Sequence, residues 1–132
     1  MKIRTIIAGA LLGLAFVAFG SLYFLNLLPS PPPPPAGSPP ALFMGALHPT
    51  GYLGFVKAME IIGGVLIVIP RTRNLGLLVI GPIVINILAF HVFIMKGAMM
   101  LDPVLAVIVV LTLFLLWAER RAFAGLVRRP TT

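Results

Sequence analysis

The fold class this chain predicts is an all-α polytopic membrane protein: a bundle of four transmembrane helices with both termini on the cytoplasmic side. Three observations carry that expectation. Of 132 residues, 60% are hydrophobic and 10% are charged, against roughly 45–50% apolar residues in a soluble globular domain. The apolar residues gather into four segments, residues 5–28, 51–69, 74–95 and 101–118, each near the roughly 20 residues that a helix needs to cross about 30 Å of hydrocarbon. Lipid cannot pair an open backbone group, so helix is the form available to segments of this length. The basic residues then fall at alternate boundaries. Lys2 and Arg4 precede the first segment, Arg71 and Arg73 sit in the second connection, and Arg120, Arg121, Arg128 and Arg129 follow the fourth. The first connection carries no charge, and the third has only Lys96, offset by Asp102. Basic residues collect on the cytoplasmic side of membrane proteins, which fixes the expected orientation.

Composition also excludes several classes. A net charge of +7 could indicate nucleic-acid binding, but the basic residues cap apolar runs and form no continuous stripe, so they read as anchors against anionic lipid. No nucleic-acid partner is expected. The absence of cysteine excludes thiol–disulfide chemistry, a thiolate zinc site and a lipoprotein anchor. The chain reads as one membrane domain over residues 1–132. Residues 1–20 compete as a cleaved signal peptide, because Ala18-Phe19-Gly20 loosely fits a small-x-small site. The apolar run continues to Leu28, however, and cleavage would leave an odd number of spans.

Each element has its own local reasons. The connection over residues 29–50 contains SPPPPPAGSPP, which predicts an extended polyproline II segment with no helix, a stiff external flap or spacer. Thr50 is the expected N-cap of the second helix. Glycines at positions 9, 13, 63, 64, 76 and 81 suit close helix packing, where small residues let backbones approach. Gly81-Pro82 is expected to kink the third helix. Asp102 suits the positive N-terminal end of the fourth helix. Tyr23, Tyr52 and Trp117 fall where interfacial aromatics belong, and Met95, Met99 and Met100 read as packing.

Lys57 and Glu60 lie inside the second apolar segment. Each charge costs roughly 2.5–3.5 kcal/mol near a bilayer centre on the lenient insertion scale, so such residues pair, meet water or work. Their i,i+3 spacing makes a direct ion pair available. With a rise of 1.5 Å per residue, Lys57 lies about 8 Å and Glu60 about 12 Å below the outer boundary, and on the third helix His91 lies about 6 Å and Asn86 about 13 Å deep. The levels match Lys57 to His91 and Glu60 to Asn86. Tyr23 and Asn26 of the first helix fall near the same outer level. Asn86 is expected to hold the Glu60 carboxyl and shares a face with Phe90, while His91 points about 140° away from Asn86. Two readings stand side by side: a polar ligand pocket opening outward, or a self-compensating pair that fixes helix register. One glutamate and one or two histidines match no metal-ligand spacing, so no metal is expected.

The run TGYLGFVKAMEIIGGVLIVIPR, followed by GPIVINILAFH, resembles the DoxX-like family of small four-helix bacterial membrane proteins. The resemblance runs from GSLYF at the end of the first helix through the fourth, and its sharpest features are KxxEIxGG and PxxxNIxxFH. It implies a bundle in the inner membrane with Lys57, Glu60, Asn86 and His91 at the family's polar positions. Relatives are linked to thiosulfate:quinone oxidoreductase and to membrane assemblies for oxidative stress, whereas the long polyproline connection is unlike the short one expected there. The function expected first is a quinone- or lipid-associated accessory subunit of a membrane redox system. Lys57 would donate to a headgroup carbonyl, and Leu53, Ile61, Phe90 and Phe93 would wall an isoprenoid or acyl tail. No covalent cofactor and no independent catalytic activity are expected, since no nucleophile–base pair is visible. The expected partners are the bilayer and redox-complex subunits or further copies of the chain. A purely structural small subunit is the alternative, and a small oligomeric transporter ranks last.

Overall fold

A computed structural model describes residues 2–28, 32–97 and 102–128. It is helical, and no strand occurs among the described residues. The order is α1 (Ile3–Phe24), α2 (Pro39–Leu47), α3 (Tyr52–Val68), α4 (Arg73–Ala89), α5 (Pro103–Ala118) and α6 (Arg120–Val127). A 3-10 turn, Pro70–Thr72, joins α3 to α4, and a π-helical turn, Phe90–Ile94, extends α4. By length and apolarity, Ile3–Phe24 and Pro70–Ile94 can each cross a bilayer, and two further spans result if each of the bent pairs α2–α3 and α5–α6 counts as one.

Helical spacing of small and apolar residues builds the interior. The buried positions of α1 are Thr5, Ala8, Gly9, Leu12, Gly13, Phe16 and Gly20. Those of α3 are Glu60, Gly63, Gly64 and Ile67, and those of α4 are Arg73, Gly76, Leu77, Ile80 and Val84. Steps of three and four place each set on one helix face. α3 packs against α1 and α4, and α5 lies against α1 and more lightly against α4. Leu12, Phe16, Ile67, Leu77, Ile80 and Leu115 form the sealed core. Val104, Val107, Val110 and Leu113 turn outward along α5, as expected of a helix whose outer face meets lipid tails.

Glycine sets the spacing of α1 and α3. A Cβ on Gly64 would lie 2.6 Å from the carbonyl oxygen of Gly13, so the two backbones touch at a distance that only glycine permits. Gly76 makes a similar approach on α4, where a Cβ would lie 2.7 Å from the backbone nitrogen of Ile67.

Several sequence expectations are corrected. The first helix, expected over 5–28, ends at Phe24. Asn26 stops it in the left-handed region (φ 57°), while the N–H groups of Asn26 and Leu27 donate to the carbonyls of Tyr23 and Leu22 at 3.2 and 2.9 Å. That pair of bonds is a Schellman closure, a position for Gly or Asn. The proline-rich connection over 29–50 is not helix-free. Pro39 and Pro40 open α2, because proline in a first turn forgoes only an N–H that has no intrahelical acceptor. Residues 32–35 carry no regular structure. Gly51, at φ 83°, is the N-cap of α3 in place of Thr50, and the Thr50 hydroxyl donates back to the Ala46 carbonyl at 2.6 Å. The third helix, expected over 74–95, is divided: α4 includes Gly81-Pro82 and ends at Ala89, where the π turn begins at Phe90. The fourth segment, expected over 101–118, is helical from Pro103, with Asp102 capping it through the Leu105 N–H at 3.4 Å. Leu101, Met99, Met100 and Arg129 lie outside the described residues.

Candidate functional site

The Lys57–Glu60 pair forms as its spacing predicts. Lys57 Nζ lies 3.2 Å from a Glu60 carboxylate oxygen, with 21% of the lysine side chain and 5% of the glutamate side chain exposed. The geometry is therefore asymmetric: a sealed carboxylate beneath a partly accessible ammonium. Gly20 on α1 makes the burial possible. A Cβ there would lie 3.0 Å from the Lys57 carbonyl and 2.6 Å from the Ile61 side chain, so α1 closes over α3 at the level of the pair. A carboxylate accepts only, and this one is held by a donor on its own helix, so the pair is internally compensated.

The other residues expected in the site distribute differently. Asn86 does not hold Glu60. It is exposed, and its Nδ2 donates to the Pro82 carbonyl at 2.8 Å. The i−4 carbonyl lies within reach of the side chain's own turn, so a local bond replaces the interhelical one. His91 is half-buried, and its Nδ1 is 2.8 Å from the Ile87 carbonyl. Among the described residues neither it nor Asn86 is hydrogen-bonded to Lys57 or Glu60. The π turn begins at Phe90, so the 100°-per-residue arithmetic used to aim His91 stops applying one residue before it. Asn26 serves the end of α1, as described above.

Phe90 and Tyr23 belong to a roof that the sequence did not announce. The Phe90 ring lies 5.0 Å from that of Phe43 on α2, and Tyr23 meets His48, just after α2, edge-to-face at 6.3 Å. Through these contacts α2 ties the end of α1 to the end of α4. It meets α3 at a bend of 76°, and α2 and the Lys57–Glu60 turn thus sit at the same end of the protein. Phe43 and His48 were missed because they lie in a connection read as polyproline. The sequence PPALFMGAL, with proline confined to its first turn and good helix formers after it, held the signal.

Arg73 is a further missed residue. Expected to be a surface anchor, it has no solvent exposure. Its Nε donates to the Ile67 carbonyl at 3.1 Å, and its guanidinium lies over Gly9, where a Cβ would be 2.5 Å from Nη2. Glu119 at the end of α5 supplies the opposing charge. Arg73 thus joins α1, α3 and α4 at the end of the molecule away from α2. Among the described residues no group of three or more His, Cys, Asp or Glu could hold a metal ion.

No protein-family model matches the chain, and no solved structure matches it. Over 87 residues it is 37% identical to an uncharacterized protein of Bacillus subtilis, YwoB, an alignment that covers 66% of this chain and 53% of that protein. The chain thus spans about half the length of the curated relative it matches.

Proposed function

We propose that the chain is a multi-pass protein of the bacterial inner membrane, a four-helix bundle with both termini cytoplasmic. In this reading it serves as an accessory subunit of a membrane redox system and holds the headgroup of a quinone or lipid at Lys57. The observation that carries the reading is the uneven exposure of the ion pair, 21% for Lys57 against 5% for Glu60. A carbonyl arriving from the membrane meets the ammonium first, and the buried carboxylate orients it. The roof of α2, with Phe43 against Phe90 and His48 against Tyr23, supplies the aromatic edges that would bracket a flat headgroup. The resemblance of KxxEIxGG and PxxxNIxxFH to the DoxX-like family supports the same assignment. With no cysteine in the chain, electron transfer would rest with a partner subunit.

A second reading, the ion pair as a structural clasp, is favoured by one observation: Asn86 turns to Pro82 and adds no polar lining to the pair. Purification in nanodiscs, native mass spectrometry and lipid extraction separate the two. A quinone or lipid that co-purifies with wild type and is lost from Lys57→Met/Glu60→Leu establishes the headgroup site. No ligand in either protein, with the same protein partners retained by both, leaves the clasp.

A further inference from the structure

The end of the molecule opposite α2 carries a second feature, independent of Lys57. Between the start of α1 and the bend from α5 into α6 lies an open cavity of about 560 Å³, whose walls include Lys2, Arg4, Phe114, Trp117, Glu119 and Arg120. Three cations face one carboxylate there, and that carboxylate also acts on the buried Arg73. The cationic groups are not loose in equal measure. Arg120 donates to the Trp117 carbonyl at 2.8 Å, and its guanidinium sits 4.4 Å from the centre of the Trp117 ring. This cation–π contact fixes the group at the mouth of the cavity while most of its five N–H donors stay available.

Two further observations say what would fill the space. α6 leaves α5 at a bend of 71° and is two-sided. Arg120 and Arg121 lie on one side, whereas Phe123, which packs on the core, and the exposed Leu126 lie on the other. A short basic amphipathic helix turned sharply off an apolar one suits the headgroup layer. From the cavity, the outward stripe of Val110, Leu113 and Trp117 runs down α5 and offers an apolar path beside the cationic mouth. A ligand that fits both must combine a multidentate oxyanion, which guanidinium groups pair well, with an apolar tail.

We infer that this cavity binds the headgroup of an anionic phospholipid. Arg4, Arg120 and Lys2 pair the phosphate, α6 lies in the headgroup layer, and an acyl chain follows the outward face of α5. The inference rests on the membrane setting of the chain and stands apart from the Lys57 assignment, so either can fail without the other.

Trp117, the chain's single tryptophan, provides the test. The full chain is placed in phosphatidylcholine nanodiscs containing a minor fraction of phosphatidylglycerol, with brominated acyl chains on one lipid or the other. Quenching is normalised to the same protein in unbrominated lipid. The expected result is stronger quenching of Trp117 by brominated phosphatidylglycerol than by brominated phosphatidylcholine at equal mole fraction. The preference should fall about fivefold for each of Arg4→Gln and Arg120→Gln, the factor expected of one basic residue beside an anionic surface. Arg71→Gln and Arg128→Gln remove the same charge outside the cavity and should retain it. Equal quenching by the two lipids in wild type overturns the inference. So does an equal loss in the Arg71 and Arg128 variants, which would mean general surface attraction. Abolition of the preference by inorganic phosphate would reassign the cavity to a free anion. Both replaced side chains are exposed, and circular dichroism checks that helix content is kept. If Arg120→Gln loses helix, Arg4→Gln alone decides the contrast.

Discussion

The guanidinium of Arg73 fills the space that a side chain at position 9 would need, its Nη2 lying 2.5 Å from where a Cβ on Gly9 would stand. Gly9 lies about two turns into α1 and Arg73 opens α4, and each fits because of the other. Enlarging Gly9 to Val should displace a buried cation from the Ile67 carbonyl and destabilise the protein by about 1–3 kcal/mol, the range for overpacking a close-fitted site. The same substitution should cost less in an Arg73→Ala background. A double-mutant cycle by thermal unfolding in detergent measures the difference, and additive values would show that the two positions are not coupled.

The contact of α1 with α3 makes a second prediction. At Gly64 the obstructing atom is the Gly13 carbonyl oxygen, 2.6 Å from the added Cβ, and backbone cannot swing aside as a side chain can. Gly64→Leu should therefore lower thermal stability sharply, by more than about 3 kcal/mol, the upper end for ordinary overpacking. Gly45→Ala on α2, where an added Cβ meets nothing within 4 Å, should leave it unchanged. Melting curves of the two variants side by side provide the check.

Removing one member of a buried ion pair should be worse than removing both. Lys57→Met leaves the Glu60 carboxylate, 5% exposed, without its donor, and loss of one partner from a buried pair costs about 3–5 kcal/mol. Lys57→Met/Glu60→Leu removes the stranded charge and should recover most of that loss. Unfolding midpoints of the singles and the double decide it; a double variant as unstable as the sum of the singles would contradict compensation within the pair.

Asn26 should tolerate glycine and reject a branched residue. Its backbone is left-handed, at φ 57°, a conformation that costs an ordinary L-residue about 1–2 kcal/mol. Asn26→Gly is expected to be neutral and Asn26→Val to lose that amount of stability, with no change in any ligand retained at Lys57. Loss of ligand with Asn26→Gly would instead place the amide side chain in the pocket.

The legible parts of this chain were those fixed by local spacing. Lys57 and Glu60 meet because i and i+3 share a helix face, and α3, Tyr52–Val68, forms within the expected segment 51–69. Asn86 was misassigned because two helices at matching depth need not turn the same faces to each other, and a carbonyl on its own turn was nearer. The π turn after Ala89 shifted the phase of everything beyond it, His91 included. Arg73 shows a different limit. Counting basic residues at segment ends gives orientation, but it does not distinguish an arginine in the headgroup layer from one folded under a neighbouring helix. The clue lay elsewhere in the sequence, in the small residues Thr5 and Gly9 on one face of the first helix. α6 escaped notice because eight residues after a membrane-length segment are too few to show a period of their own.

The meeting of Gly13 and Gly64 divides the positions of the chain into two unequal populations. Along the outer face of α5, Val104, Val107, Val110 and Leu113 are exposed, and random mutagenesis should recover almost any apolar residue there. At positions 13 and 64 the same screen should return glycine alone. The inter-helix distance is thus written in two letters that admit no synonym, while most of the apolar surface admits many.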